Sequence, residues 1–148
     1  MSLRERLLED TKTAMRAQDK ARLGVLRLIS AAIKQREVDE RITLDDPQVL
    51  AVLEKMVKQR RESIAQYEQG GRQDLADKEQ AEIAILQDYL PEPLSEAELD
   101  ALIDTVIADT GAESIRDMGK VMGAIKSRAQ GRADMGLVGA RVKARLGG

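Results

Sequence analysis

The sequence predicts an all-α protein: a larger N-terminal helical domain containing a long antiparallel hairpin, then a small three-helix domain. Three observations carry this. Phe and Trp are missing and Tyr67 and Tyr89 are the only aromatics, so the core must come from Leu, Ile, Val, Ala and Met. Such a core suits interdigitating helices better than sheets, which favour aromatic and β-branched residues. Apolar residues recur at helical spacing along most of the chain. Capping signals open those stripes, and Gly or Pro closes them.

The elements follow in order. Ser2-x-x-Glu5 is a capping box opening a first helix to about Ala17. Asp19 caps a second helix whose Leu23, Val25, Leu26, Leu28, Ile29, Ala32 and Ile33 are apolar almost all round. That breadth predicts a central helix buried on more than one side. Val38 to Asp45 reads as a loop. Asp46-Pro47 starts a long third helix, where a proline's missing N–H is harmless, and Gly70-Gly71 ends it. A fourth helix carries Leu75, Ala76, Ile83, Leu86 and Leu90, which makes the third and fourth an antiparallel hairpin about the glycine pair.

Pro91-Glu92-Pro93 reads as a hinge, since neither proline fits a helix interior. The domains are therefore 1–90 and 94–148. Leu94-Ser95-x-x-Glu98-Leu99 gives a capping box with a hydrophobic staple and opens a fifth helix, which Thr110-Gly111 stops. Ser114-x-x-Asp117 opens a sixth with Met118, Val121, Met122 and Ile125. Gly131 breaks it, and Asp134 caps a short seventh with Leu137, Val138, Val142 and Leu146.

Composition bounds the chemistry. The 148 residues hold no Cys and no His, which removes thiolate and imidazole metal sites and the commonest general base. No stretch is apolar and long enough to span a bilayer, and Met1-Ser2-Leu3-Arg4-Glu5 lacks the apolar core of a signal peptide, so the expected compartment is the cytoplasm. The net charge of -2 hides an asymmetry. Residues 91–117 hold eight acids against Arg116 alone, whereas residues 118–148 hold seven bases against Asp134 alone. The basic block asks for a polyanion or an acidic neighbour.

Candidate sites are few. Gly70-Gly71 follows a helix rather than preceding one, so it is a helix end and not a phosphate loop. Ser30 and Lys34 have the spacing of a Ser–Lys nucleophile pair, but a Ser on an apolar helix bonds its own backbone far more often. Asp45-Asp46 and Glu79 with Glu82 read as a cap and surface ion pairs before they read as metal ligands. No cofactor or metal is expected. Lys58 and Arg61 on the third helix are second-choice phosphate contacts. Arg60 is assigned instead to an ion pair across the hairpin with Glu79 or Glu82.

The basic segment from Met118 to Asp134 is the first choice. Gly119 and Gly123 lie four apart inside a helix, where each costs about 1 kcal/mol relative to Ala. They bare one face, and Lys120, Lys126, Arg128 and Arg132 surround it. A bare face with flanking cations suits a sugar-phosphate backbone; tight helix–helix packing at the glycines explains the spacing equally well. With so few aromatics, any RNA would be recognised by shape and charge rather than base stacking.

These residues resemble a known family. Leu26-Arg27, Ala31 to Lys34, Val57 to Ile64, Gly71-Arg72-x-Asp74-Leu75-Ala76 and Tyr89-Leu90-Pro91 are similar to the YqeY-like family. Met118-Gly119-Lys120-Val121-Met122-Gly123 with Gly131-Arg132-Ala133-Asp134 is the most specific part. That family in turn resembles the tail of the B subunit of the Glu-tRNA(Gln)/Asp-tRNA(Asn) amidotransferase, a helical module that helps to hold tRNA. The resemblance implies that Gly119, Lys120, Gly123, Lys126, Gly131 and Arg132 face tRNA, and Arg128 is added as one of the cations around the bare face. It also implies a link to an aminoacyl-tRNA synthetase or an amidotransferase, a carbon–nitrogen ligase that uses glutamine as amido-N-donor. The ATP- and Mg²⁺-binding part of that B subunit has no counterpart in this sequence. The expectation is thus a tRNA-binding module acting alone or in trans, with a protein-docking accessory as the alternative and an independent enzyme last.

Overall fold

The computed structural model describes residues 1–147 and is all-helical, with no strand among them. The helices are α1 (Leu3–Arg16), α2 (Lys20–Glu40), α3 (Asp46–Gln69), α4 (Gln73–Gln87), α5 (Glu96–Thr110), α6 (Met118–Ala129) and α7 (Met135–Gly147), with a 3-10 turn, Ile115–Asp117, leading into α6. No described helix is long and apolar enough to cross a membrane. The chain falls into two compact units, Met1–Leu90 and Pro91–Gly148.

In the first unit the helix ends follow from local chemistry. The Glu5 amide donates to the Ser2 hydroxyl at 3.1 Å while the Ser2 amide donates to the Glu5 carboxylate, so two otherwise orphaned donors are satisfied. Asp45 and Gln48 do the same for α3. Gly71 takes a φ of +72° after α3, a conformation open to glycine at little cost.

One expectation for α2 needs correction. Val38, Asp39 and Glu40 are helical, so the loop is shorter than its composition suggests. Side-chain pairs Gln35–Asp39 and Arg36–Glu40, each four apart, extend the last turn, and Arg41 closes it in the left-handed region. Helix α2 is buried on more than one side, as its apolar breadth predicts, though not all round. Val25, Leu26, Ile29 and Ile33 are buried, but Leu28 is 49% and Val38 64% exposed. Helices α1, α3 and α4 all pack on α2, while Leu28, Ala31 and Val38 on its outer side are exposed.

Leu7, Leu26, Ile29, Leu53, Ile83 and Leu86 form the centre of this unit's core. Tyr89 closes one end. Its hydroxyl donates to Asp10 at 2.6 Å and accepts from Arg22 at 3.2 Å, and the Arg6 guanidinium lies 4.8 Å from the ring centroid. Burial first, and the bond to Asp10 next, push the Tyr89 hydroxyl above its ordinary value. Arg60 is drawn to Glu82 at 3.2 Å and Glu79 at 3.9 Å, tying α3 to α4.

The second unit has a purely aliphatic core: Leu99, Ile103, Val106, Val121, Ile125, Ala129, Val138 and Val142. Its caps are Ser95 with Glu98, and Ser114 with Asp117. Gly111 (φ +65°) ends α5. The chain ahead of α5 is fastened to the α6–α7 corner, because the Leu94 amide donates to the Arg132 carbonyl at 2.8 Å.

Candidate nucleic-acid interface

Helix α6 turns Val121, Ile125 and Ala129 inward, which fixes what its other side presents. Gly119, Gly123, Lys120 and Lys126 are all exposed. A Cβ built on Gly119 or on Gly123 would meet nothing within 4 Å. Tight packing within this chain, the competing explanation, therefore does not account for either glycine. At Gly139, by contrast, a Cβ would meet the Met122 methyl at 3.8 Å, an ordinary contact.

The cations around this face differ in how they are engaged. Lys126 enters no ion pair among the described residues, and Lys120 has only the nearby Asp117 carboxylate, one turn before it. The amides of Glu113 and Ser114 donate to that carboxylate and hold Asp117 below its ordinary range, so it stays charged. Arg128 is 3.7 Å from Asp109, with both side chains half exposed, a pairing worth little in water. Arg132 is partly buried, and its Nε donates to the Glu92 carbonyl at 2.8 Å. Gly131 takes a φ of +80°, so its glycine is demanded by the turn. These last two shape the corner; the other five lie on or beside the exposed face.

Sequence reasoning missed a set of pairs that narrows the basic surface. Arg141 of α7 reaches Asp100 at 2.9 Å and Glu96 at 3.4 Å on α5. Arg145 reaches the same Asp100 at 3.3 Å and also pairs with Asp104. The signal was present in the spacing: acids at 96, 100 and 104 and bases at 141 and 145 each form a line along one helix. The acidic block thus serves as neighbour to the far end of the basic block, and the cations left on view concentrate on α6. Lys58 and Arg61 are exposed on α3, where they adjoin no comparable bare backbone.

Fold and surface together define a small all-helical protein with a glycine-bared, lysine-flanked helix in its second unit. The chain belongs to the Yqey-like protein family, which it matches over residues 4–146. Curated fungal relatives carry the name altered inheritance of mitochondria protein 41, mitochondrial. The one from Pyrenophora tritici-repentis is 33% identical over 130 residues, 86% of this chain and 71% of its own length. Those from Kluyveromyces lactis and Eremothecium gossypii are 36% and 39% identical, with this chain spanning 57% and 51% of their lengths. These names overturn the expectation of a cytoplasmic compartment. That expectation rested on the lack of a secretory signal, which says nothing about an organelle reached by another route.

Proposed function

We propose that the protein is a tRNA-binding module related to the amidotransferase B-subunit tail, acting alone or in trans on a tRNA-processing enzyme. The observation that carries this is the exposed α6 face, where Gly119 and Gly123 leave the backbone open and Lys120 and Lys126 flank it. An open backbone beside ammonium groups admits a phosphodiester chain closely and without base preference. The reading suits a compartment with its own tRNA, as the mitochondrion of the fungal relatives has. It takes the chain as two helical domains, 1–90 and 94–148, hinged at 91–93, with α3 and α4 as one long antiparallel hairpin. Limited proteolysis then cuts first at 91–93; a first cut inside α3 or α5 would contradict it.

The binding test uses the full chain and unfractionated tRNA in a fluorescence-anisotropy titration. With two to four phosphates neutralised, log K falls with log salt at a slope of about -2 to -4. Lys120→Glu with Lys126→Glu abolishes binding at unchanged helix content. Lys58→Glu with Arg61→Glu leaves it intact. Loss only in the second pair would move the site to α3, and no binding at low salt would sink the reading.

A further inference from the structure

We infer that the outer face of α2 is a docking site for an acidic amphipathic helix of a partner protein. The face exists because α2 is apolar beyond what its own core uses. Gly24, Leu28, Ala31 and Val38 lie on the side opposite buried Val25, Leu26, Ile29 and Ile33. All four are exposed, Leu28 at 49% and Val38 at 64%. At Lys34 and Val38 the face borders a cleft of about 470 Å³ that Leu8 and Ile33 also line, together with Ser30 and Glu37, whose carboxylate is already paired with Arg4. Leu8, itself 49% exposed, adds a second aliphatic contact there.

Charge selects the occupant. Lys20, Arg27 and Lys34 stand seven residues apart along one edge of this face, all exposed. Two helical turns separate each from the next, about 10 Å. None of the three enters an ion pair among the described residues, whereas Arg22 and Arg36 on the same helix pair with Asp88 and Glu40. A row of uncompensated cations in a protein of net charge -2 is matched by carboxylates repeating every seven residues on a partner. A helix with an aliphatic stripe and such a flank satisfies both the row and Leu28. Gly24 has nothing within 4 Å of an added Cβ, which lets that helix approach closely. A second copy of α2 fits worse: laid antiparallel, it sets Arg27 against Arg27 and Lys20 against Lys34. RNA fits the cations and leaves Leu28 and Val38 uncovered.

The test uses two synthetic amphipathic helices of about 20 residues, identical except that one carries Glu and the other Lys at the flanking heptad positions. The full chain binds the Glu peptide at least about tenfold more tightly than the Lys peptide. Arg27→Glu with Lys34→Glu reverses that preference. Leu28→Glu with Val38→Glu loses both peptides at unchanged helix content, while Lys120→Glu with Lys126→Glu keeps the Glu peptide. Equal binding of both peptides, or no effect of the charge reversal, overturns the inference. So does a concentration-dependent dimer in sedimentation that Leu28→Glu abolishes, which would give the face to a second copy. Binding to anionic vesicles through Leu28 without peptide binding would give it to a lipid surface.

Discussion

Helices α2 and α6 each keep one face away from their own cores, and the two faces differ in what lies between the cations. On α2 it is aliphatic side chain, Leu28 and Val38; on α6 it is bare backbone at Gly119 and Gly123. Aliphatic surface beside cations rewards a partner that brings both apolar area and carboxylates. Bare backbone beside cations rewards a narrow polyanion that needs no apolar contact. Two faces of similar charge are thereby directed at different chemistry.

The largest effects separate inner from outer faces. Leu26→Ala and Ile125→Ala, at fully buried positions of α2 and α6, each lower the unfolding free energy by about 2–5 kcal/mol in chemical denaturation. Leu28→Ala lowers it by less than about 1 kcal/mol, since half of that side chain is already in water. Equal losses at Leu26 and Leu28 would mean that the outer face is covered in solution.

Glycine replacement gives smaller effects of opposite sign. Gly24→Ala and Gly123→Ala each raise stability by roughly 0.5–1 kcal/mol, because a helical glycine is replaced where the new methyl meets nothing. The two separate in function: Gly123→Ala weakens tRNA binding and spares the acidic peptide, and Gly24→Ala does the reverse. A melting temperature that falls in either variant would show that the glycine is needed for the fold itself.

The smallest effect is the response to acid. The Leu44 amide, then Arg4, hold Glu37 of α2 below its ordinary value near 4.5. A depressed carboxylate adds stability above its unfolded value and loses it as pH falls through its folded value. In the second unit Glu98 and Asp117 are lowered too, by the Ser95 amide and by the Glu113 and Ser114 amides. Thermal melts therefore shift down below about pH 4.5, and Glu37→Gln flattens part of that shift. A melting temperature constant from pH 6 to pH 3 would refute these contacts.

Local chemistry was legible in the sequence and neighbourhood was not. Ser2 and Ser95 announce helix starts because a capping hydroxyl acts within three residues, and each accepts the bond its spacing implies; Ser114 accepts from Arg116 instead and opens the 3-10 turn ahead of α6. That α2 packs on more than one side was legible in its apolar breadth; that Leu28 and Val38 stay exposed was not, because periodicity shows which residues are apolar, not whether another helix lies beside them. The extra turn at Val38–Glu40 depends on side-chain pairs that a polar composition disguises as loop. Arg60 was legible, since counting back from the glycine turn puts Glu79 and Glu82 beside the position opposite it, and it pairs with both. Arg132 was not: its bond to the Glu92 carbonyl joins residues 40 apart.

One carboxylate governs how far the positive surface extends. Asp100 accepts from Arg141 and lies within ion-pair distance of Arg145, so the two guanidinium groups share it, beside Glu96 for the first and Asp104 for the second. Exchanging that acid for asparagine would remove one negative charge and loosen two positive ones together. The cationic ground would then spread from one helix onto the next, and a surface suited to one docked strand would take polyanions of many shapes. If α6 binds tRNA as proposed, the acid that restrains α7 sets its selectivity as much as the lysines that α6 displays.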